Sequence, residues 1–173
     1  TVYFHPFVRG AEMMLARATN VAIGYGSFSS EAFSRFTDHQ LLSELKISGG
    51  ISERITNDFE NRRIVKNSIS ITKDQSEASG LHASKRTSYE EAIAEELDVE
   101  SSSIYVDIPP LTVLPGSKAR IIRDDGELDL ARNLSKLVSS LYEAQFDHWR
   151  CRIYGPSELR EQIKEASVRN LGL

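Results

Sequence analysis

Asn61-Arg62-Arg63-Ile64-Val65-Lys66-Asn67-Ser68-Ile69-Ser70-Ile71 is the stretch that divides this chain. Before it, apolar residues recur every three or four positions, the period of a helix. Within it, Val65, Asn67, Ile69 and Ile71 alternate with Lys66, Ser68 and Ser70, and the β-branched residues fit a pleated surface. Upstream, Phe7, Ala11, Met14, Leu15, Ala18 and Ala22 form one stripe. Pro6 is tolerated only in a first turn, so that helix begins near His5 and closes at Gly24 and Gly26. Further helices are predicted through Ser30–Phe36, through Asp38–Ile47 behind a Thr37-Asp38 cap, and from Ile51 to Glu60. Residues 1–60 therefore read as helical hairpins, a packing surface more than a closed domain.

Downstream the pattern changes character. The polar run from Gln75 to Thr87 reads as a loop or weak helix, and Ser88-Tyr89-Glu90-Glu91 as a capping box opening a helix striped by Tyr89, Ile93 and Leu97. Strands are predicted over Ile104–Ile108, Lys118–Arg123 and Trp149–Tyr154, with a helix on Leu134, Leu137, Val138 and Leu141 between the last two. Gly155-Pro156-Ser157 opens a final helix carrying Leu159, Ile163 and Ala166. The order β-α-β-β-α-β plus a terminal helix predicts an α+β fold, with a ferredoxin-like subdomain over residues 61–173.

The chain has 173 residues, 40% hydrophobic and 27% charged, which is ordinary for a globular protein. One cysteine, Cys151, excludes an internal disulfide and a cysteine-built zinc cage, and makes a reducing cytoplasm the expected setting. No apolar run approaches the roughly 18 residues of a membrane span. The net charge is −4, and the parts before and after Asn61 each contribute −2. Nucleic-acid binders present a positive field, and the aromatic-rich signature of RNA-binding sheets is missing, so a nucleic-acid partner is not expected. The chain starts on Thr1-Val2-Tyr3-Phe4-His5-Pro6, bulky residues where frayed polar ones are usual, and the expectation is a portion of a longer protein.

Chemistry-bearing residues are sparse. His5, His39, His82 and His148 include no pair at i, i+3 or i, i+4, so no metal site is expected within the chain. Cys151 lies in a predicted strand and reads as buried and inert. Arg120 with Arg123, and Arg150 with Arg152, read as solvated strand faces. Arg62 and Lys66 stand four apart, close enough to one helical turn and even enough for a strand that they share a face in either. Two readings fit them. Arg supplies a planar fork and Lys a point charge, so together they can address one polyphosphate. Equally, they can be an exposed charged edge that discourages aggregation.

Several segments, in order, resemble the HD-superfamily phosphohydrolases, in particular the dGTPase-like branch. They are Val2-Tyr3-Phe4-His5 with Arg9-Gly10-Ala11-Glu12-Met13-Met14-Leu15, Phe36-Thr37-Asp38 with Leu41-Leu42, and Asn61 to Lys66. Val106-Asp107-Ile108-Pro109, Asp125-Gly126, Leu134-Ser135-Lys136-Leu137-Val138 and Trp149-Arg150-Cys151-Arg152-Ile153-Tyr154 continue the series. The resemblance implies hydrolysis of (deoxy)nucleoside triphosphates with a divalent metal (Mn, Mg, Fe, Zn or Ni) held by a His…His-Asp…Asp set upstream of the Tyr-x-His helix. This chain alone would then bind no metal and hydrolyse nothing. It implies that Tyr3 lines the substrate pocket, and that Arg62 and Lys66 hold phosphates of an activating dNTP at an interface of a homo-oligomer. Phe4 stands where the mammalian enzyme of that branch has a glutamine, and His5 matches a histidine without an assigned role. A non-enzymatic ferredoxin-like effector-binding or oligomerisation module is the alternative reading.

Overall fold

Helix α1 (Pro6–Gly24) starts where Pro6 allows, and the His5 Nδ1 caps it by accepting from the Phe7 N–H at 3.2 Å. The computed structural model describes residues 5–110, 120–122, 128–130, 140, 144 and 146–173. Helix α2 (Ser30–Phe33) is shorter than its spacing suggests: the chain turns after it, and Phe36 packs edge-on against Phe28 at 5.2 Å. Helix α3 (Asp38–Ile47) opens on the expected Thr37, whose hydroxyl and backbone exchange hydrogen bonds with Gln40. Gly49, at φ 72, makes the turn into α4 (Gly50–Glu60) in a conformation a side chain resists. These helices close on Met14, Ala18, Ala22, Leu45 and Ile55, joined by Ile64, Tyr105 and Tyr154 from beyond residue 60.

Strands β1 (Lys66–Ile71), β2 (Tyr105–Asp107) and β5 (Cys151–Gly155) form one antiparallel sheet in the order β1-β5-β2. Ile71 faces Cys151, Tyr105 faces Tyr154 and Asp107 faces Arg152 across the pairings, and β1 bulges at Ser68. Helix α6 (Arg86–Leu97) and α7 (Arg160–Leu171) cover one face, where Ile93, Val106, Cys151, Ile153 and Ile163 pack. The other face meets α1. The α+β class is as expected. The last strand is the central one, and β3 (Arg120–Ile122) leaves this sheet to pair with β4 (Leu128–Leu130), a strand too short to show a period.

Other departures have local causes. Residues 73–85 carry α5 (Lys73–Ala78), capped by Thr72 and Gln75, and a 3₁₀ turn at Ala83–Lys85. Helix α6 begins at Arg86, so Ser88 lies inside its first turn, the expected capping box between Ser88 and Glu91 does not form, and Glu90 points inward. Arg152 is buried, because the central strand is covered on both faces, and Arg150 is half-buried, donating to the Asp147 and Trp149 carbonyls. Neither is the solvated residue expected. Arg123, the Arg120 side chain, Asp125-Gly126 and the helix expected on Leu134, Leu137, Val138 and Leu141 lie outside the described residues.

Charged side chains from α1 tie the helical part to the sheet. Arg9 forks onto Asp107, Nε to Oδ2 at 2.9 Å and Nη2 to Oδ1 at 2.6 Å, and Asp107 is fully buried. Arg17 meets the outer edge of β2. Its Nη1 donates to the Ile104 carbonyl at 2.6 Å and its Nη2 pairs with Glu90 at 2.5 Å, while Glu90 accepts from the Val106 N–H at 2.9 Å. An Arg–Glu pair thus satisfies a carbonyl and an N–H that a fourth strand would otherwise take. The Arg17 guanidinium also lies 4.0 Å above the Tyr105 ring. No helix among the described residues is long and apolar enough to cross a membrane.

Two predictions follow from these pairs. Arg9→Ala leaves the Asp107 carboxylate buried without its partner and should cost about 3 kcal/mol in urea denaturation. Adding Asp107→Asn should recover part of that loss. Burial pushes the Glu90 carboxyl above its ordinary 4.5 despite Arg17. A raised acid stabilises the fold fully below the unfolded value, and that contribution is lost as pH rises through the folded one. The stability of Glu90→Gln relative to the natural protein should therefore improve as pH climbs from below 4.5 through the Glu90 folded pKa, then level off.

Candidate phosphate-binding cleft

Helix α4 ends in an unusual way for its sequence. The Arg63 N–H bonds the Asp58 carbonyl at 2.8 Å and the Arg62 N–H bonds the Phe59 carbonyl at 3.0 Å, the paired closure of a Schellman turn. That turn needs a left-handed residue just past the cap, normally glycine. Here Arg62 occupies it at φ 58. For a residue with a Cβ this conformation costs about 1–2 kcal/mol. The chain then straightens through buried Ile64 into Lys66, the first residue of β1.

Arg62 and Lys66 therefore share neither a helix face nor a strand face. The turn brings both to the wall of one cleft of about 390 Å³, between the end of α4, the 3₁₀ turn Ser101–Ser103 and residues 156–158 after β5. Two further arginines line it, each already engaged. Arg63 Nε donates to Asp58 Oδ1 at 2.8 Å, and Arg54 Nη2 donates to Glu100 Oε2 at 2.6 Å and to the Ser102 hydroxyl at 2.7 Å. Among the described residues, Arg62 and Lys66 make no ion pair; the Lys66 ammonium stands 5.7 Å from the centre of the Phe7 ring. Tyr105 lines the cleft too, its hydroxyl pushed up to about 12 by burial and so a neutral donor. The Ser102 and Ser157 hydroxyls donate to Glu100 and Glu158, and the Asp58 and Glu158 carboxylates share the wall, so the two uncommitted cations are the part of the cleft able to hold an anion.

Tyr3 and Phe4 lie outside the described residues. His5 serves as the α1 cap, and His39, His82 and His148 are exposed and scattered. Among the described residues no three His, Cys, Asp or Glu side chains converge as a metal requires. Cys151 is buried, and its thiol is pushed up to about 12, which keeps it protonated and unreactive. Arg54, Tyr105, Ser102 and Ser157 escaped the reading of the sequence as cleft residues.

The whole chain, residues 1–173, matches the family described as an HD associated region. The chain belongs to this family. A curated protein of Methanocaldococcus jannaschii, described as uncharacterized, is 28% identical over 176 residues, covering 98% of this chain. This chain spans 37% of that protein's length. The resemblance seen in the sequence is thus to HD-domain proteins, with the Arg62 turn one of its matching segments.

The cost of the turn gives a test of what Arg62 is for. Arg62→Gly should stabilise the HD associated region by about 1 kcal/mol, raising its melting temperature by roughly 2–4 °C. The same variant should weaken phosphate binding, measured by titration with inorganic triphosphate. A gain in stability joined to a loss of binding marks strain kept for a ligand.

Proposed function

We propose that this chain is the part of an HD-type phosphohydrolase, acting on (deoxy)nucleoside triphosphates, that completes the helical core, supports homo-oligomer assembly and holds a regulatory nucleotide. The observation that carries the reading is the pair of uncommitted cations, Arg62 and Lys66, on one cleft. A guanidinium fork and an ammonium suit neighbouring phosphates of a dNTP better than a single carboxylate. The left-handed arginine supports the same reading, since glycine would close the helix at lower cost.

The catalytic metal belongs elsewhere in this proposal. Among the described residues no donor set fits a divalent ion, and no hydrolytic step is assigned to them. Tyr3 stays in the proposal as a substrate-pocket residue on the strength of the family resemblance. A cytoplasmic setting, where dNTPs are made and consumed, agrees with a lone buried cysteine.

The test uses the intact protein. Activation by dNTP is followed in Arg62→Ala, Lys66→Ala and the double variant. Each lost charge-assisted contact should raise the half-activating concentration roughly tenfold or more. Activation curves that superimpose on the natural protein's would overturn the assignment.

A further inference from the structure

A second cleft, of about 450 Å³, opens on the other side of the serine turn, between α1, the start of α4 and the first turns of α6. That volume is within the range of small-ligand pockets. Its apolar lining is half-buried Met13, Val21 and Ile51. Its polar lining divides sharply by commitment. Arg17 is consumed by Glu90 and the Ser101 and Ile104 carbonyls, and Glu90 by Arg17 and the Val106 N–H.

Arg86 is different. Its Nε is buried without any hydrogen-bond partner, and its guanidinium makes no ion pair among the described residues. Buried N–H donors are almost always satisfied, by protein, water or ligand, because an unmade bond leaves the whole desolvation penalty in place. Arg86 also opens α6, and no side chain caps the N–H groups of that first turn. The rest of the half-buried guanidinium and the uncapped N–H groups after Arg86 put donors at one end of a cleft whose remainder is partly apolar.

The charge balance selects the anion. Arg86 is the one uncommitted cation lining this cleft among the described residues, and the Glu90 and Glu91 carboxylates line it too. They oppose the dense charge of a di- or triphosphate. We propose that this cleft binds a small organic monocarboxylate, whose carboxylate pairs with Arg86 while its apolar body covers Met13, Val21 and Ile51. This site is separate from Arg62 and Lys66 and does not depend on nucleotide regulation.

Hexanoate is the probe, with hexylamine and inorganic pyrophosphate as comparisons, each titrated into the intact protein and followed by saturation-transfer NMR. Hexanoate should bind saturably and hexylamine should not. Arg86→Gln, which loses no hydrogen bond or ion pair among the described residues, should keep the melting temperature within a few degrees of the natural protein's and weaken hexanoate roughly tenfold or more. Thr87→Asp places a like charge at the exposed rim and should weaken it as well, without altering the half-buried Arg86 side chain. Arg62→Ala should leave hexanoate binding unchanged. No binding by about 10 mM, equal binding to Arg86→Gln, or pyrophosphate binding more tightly through Arg86 would each overturn the proposal.

Discussion

The open edge of β2 is the constraint on which the architecture turns. β2 is three residues long and, among the described residues, pairs only with β5, so its outward carbonyl and N–H need partners. Arg17 of α1 and Glu90 of α6 provide them, and in bonding each other they tie two helices to one strand edge. Arg9, eight residues earlier and about 12 Å along the same helix, grips Asp107 at the end of β2. Helix orientation, sheet edge and the seam between the two cores thus depend on one set of charged groups. Burial alone would not give this specificity, because apolar contacts have no direction.

What was legible in the sequence is local. Pro6 placed the start of α1, the Thr37-Asp38 cap placed α3, and alternation placed β1; each is decided by neighbours within a few residues. The misread positions are those decided at long range. Glu90 looks like part of a helix start until Arg17, 73 positions away, pulls it inward. Arg152 looks solvated until β5 proves central. The backbone of Arg62 is hidden for another reason: a left-handed cap is usually announced by glycine, and here it is not. Spacing did single out Arg62 and Lys66, but the rest of their cleft comes from Arg54, Ser102, Tyr105 and Ser157. Those residues span most of the chain and carry no common pattern.

The serine turn at Ser101–Ser103 gains meaning from its position. It walls both clefts, with Ser102 lining each. Arg17 holds it from one side through the Ser101 carbonyl, at 3.0 Å, and Arg54 from the other through the Ser102 hydroxyl. Arg17 is itself anchored to the sheet through half-buried bonds to Glu90 and the Ile104 carbonyl, whereas the Arg54–Glu100 pair is solvent-exposed and correspondingly weak. Of the two sides, the one facing Arg62 and Lys66 yields more easily.

The strand order has a consequence for how the protein comes into being. β1 and β2 do not pair with each other; both wait for β5, whose first residue follows the end of β1 by 80 positions. At about 5–20 residues per second on the ribosome, that interval lasts roughly 4–16 seconds. Through it β1 emerges unpaired, with both long edges open and Ile69 and Ile71 uncovered on one face. Helices α1, α3 and α4 can already have packed by then, since their contacts are nearer in sequence. The nascent chain thus passes through a state with a formed helical part and an orphan strand, the kind of surface that chaperones recognise.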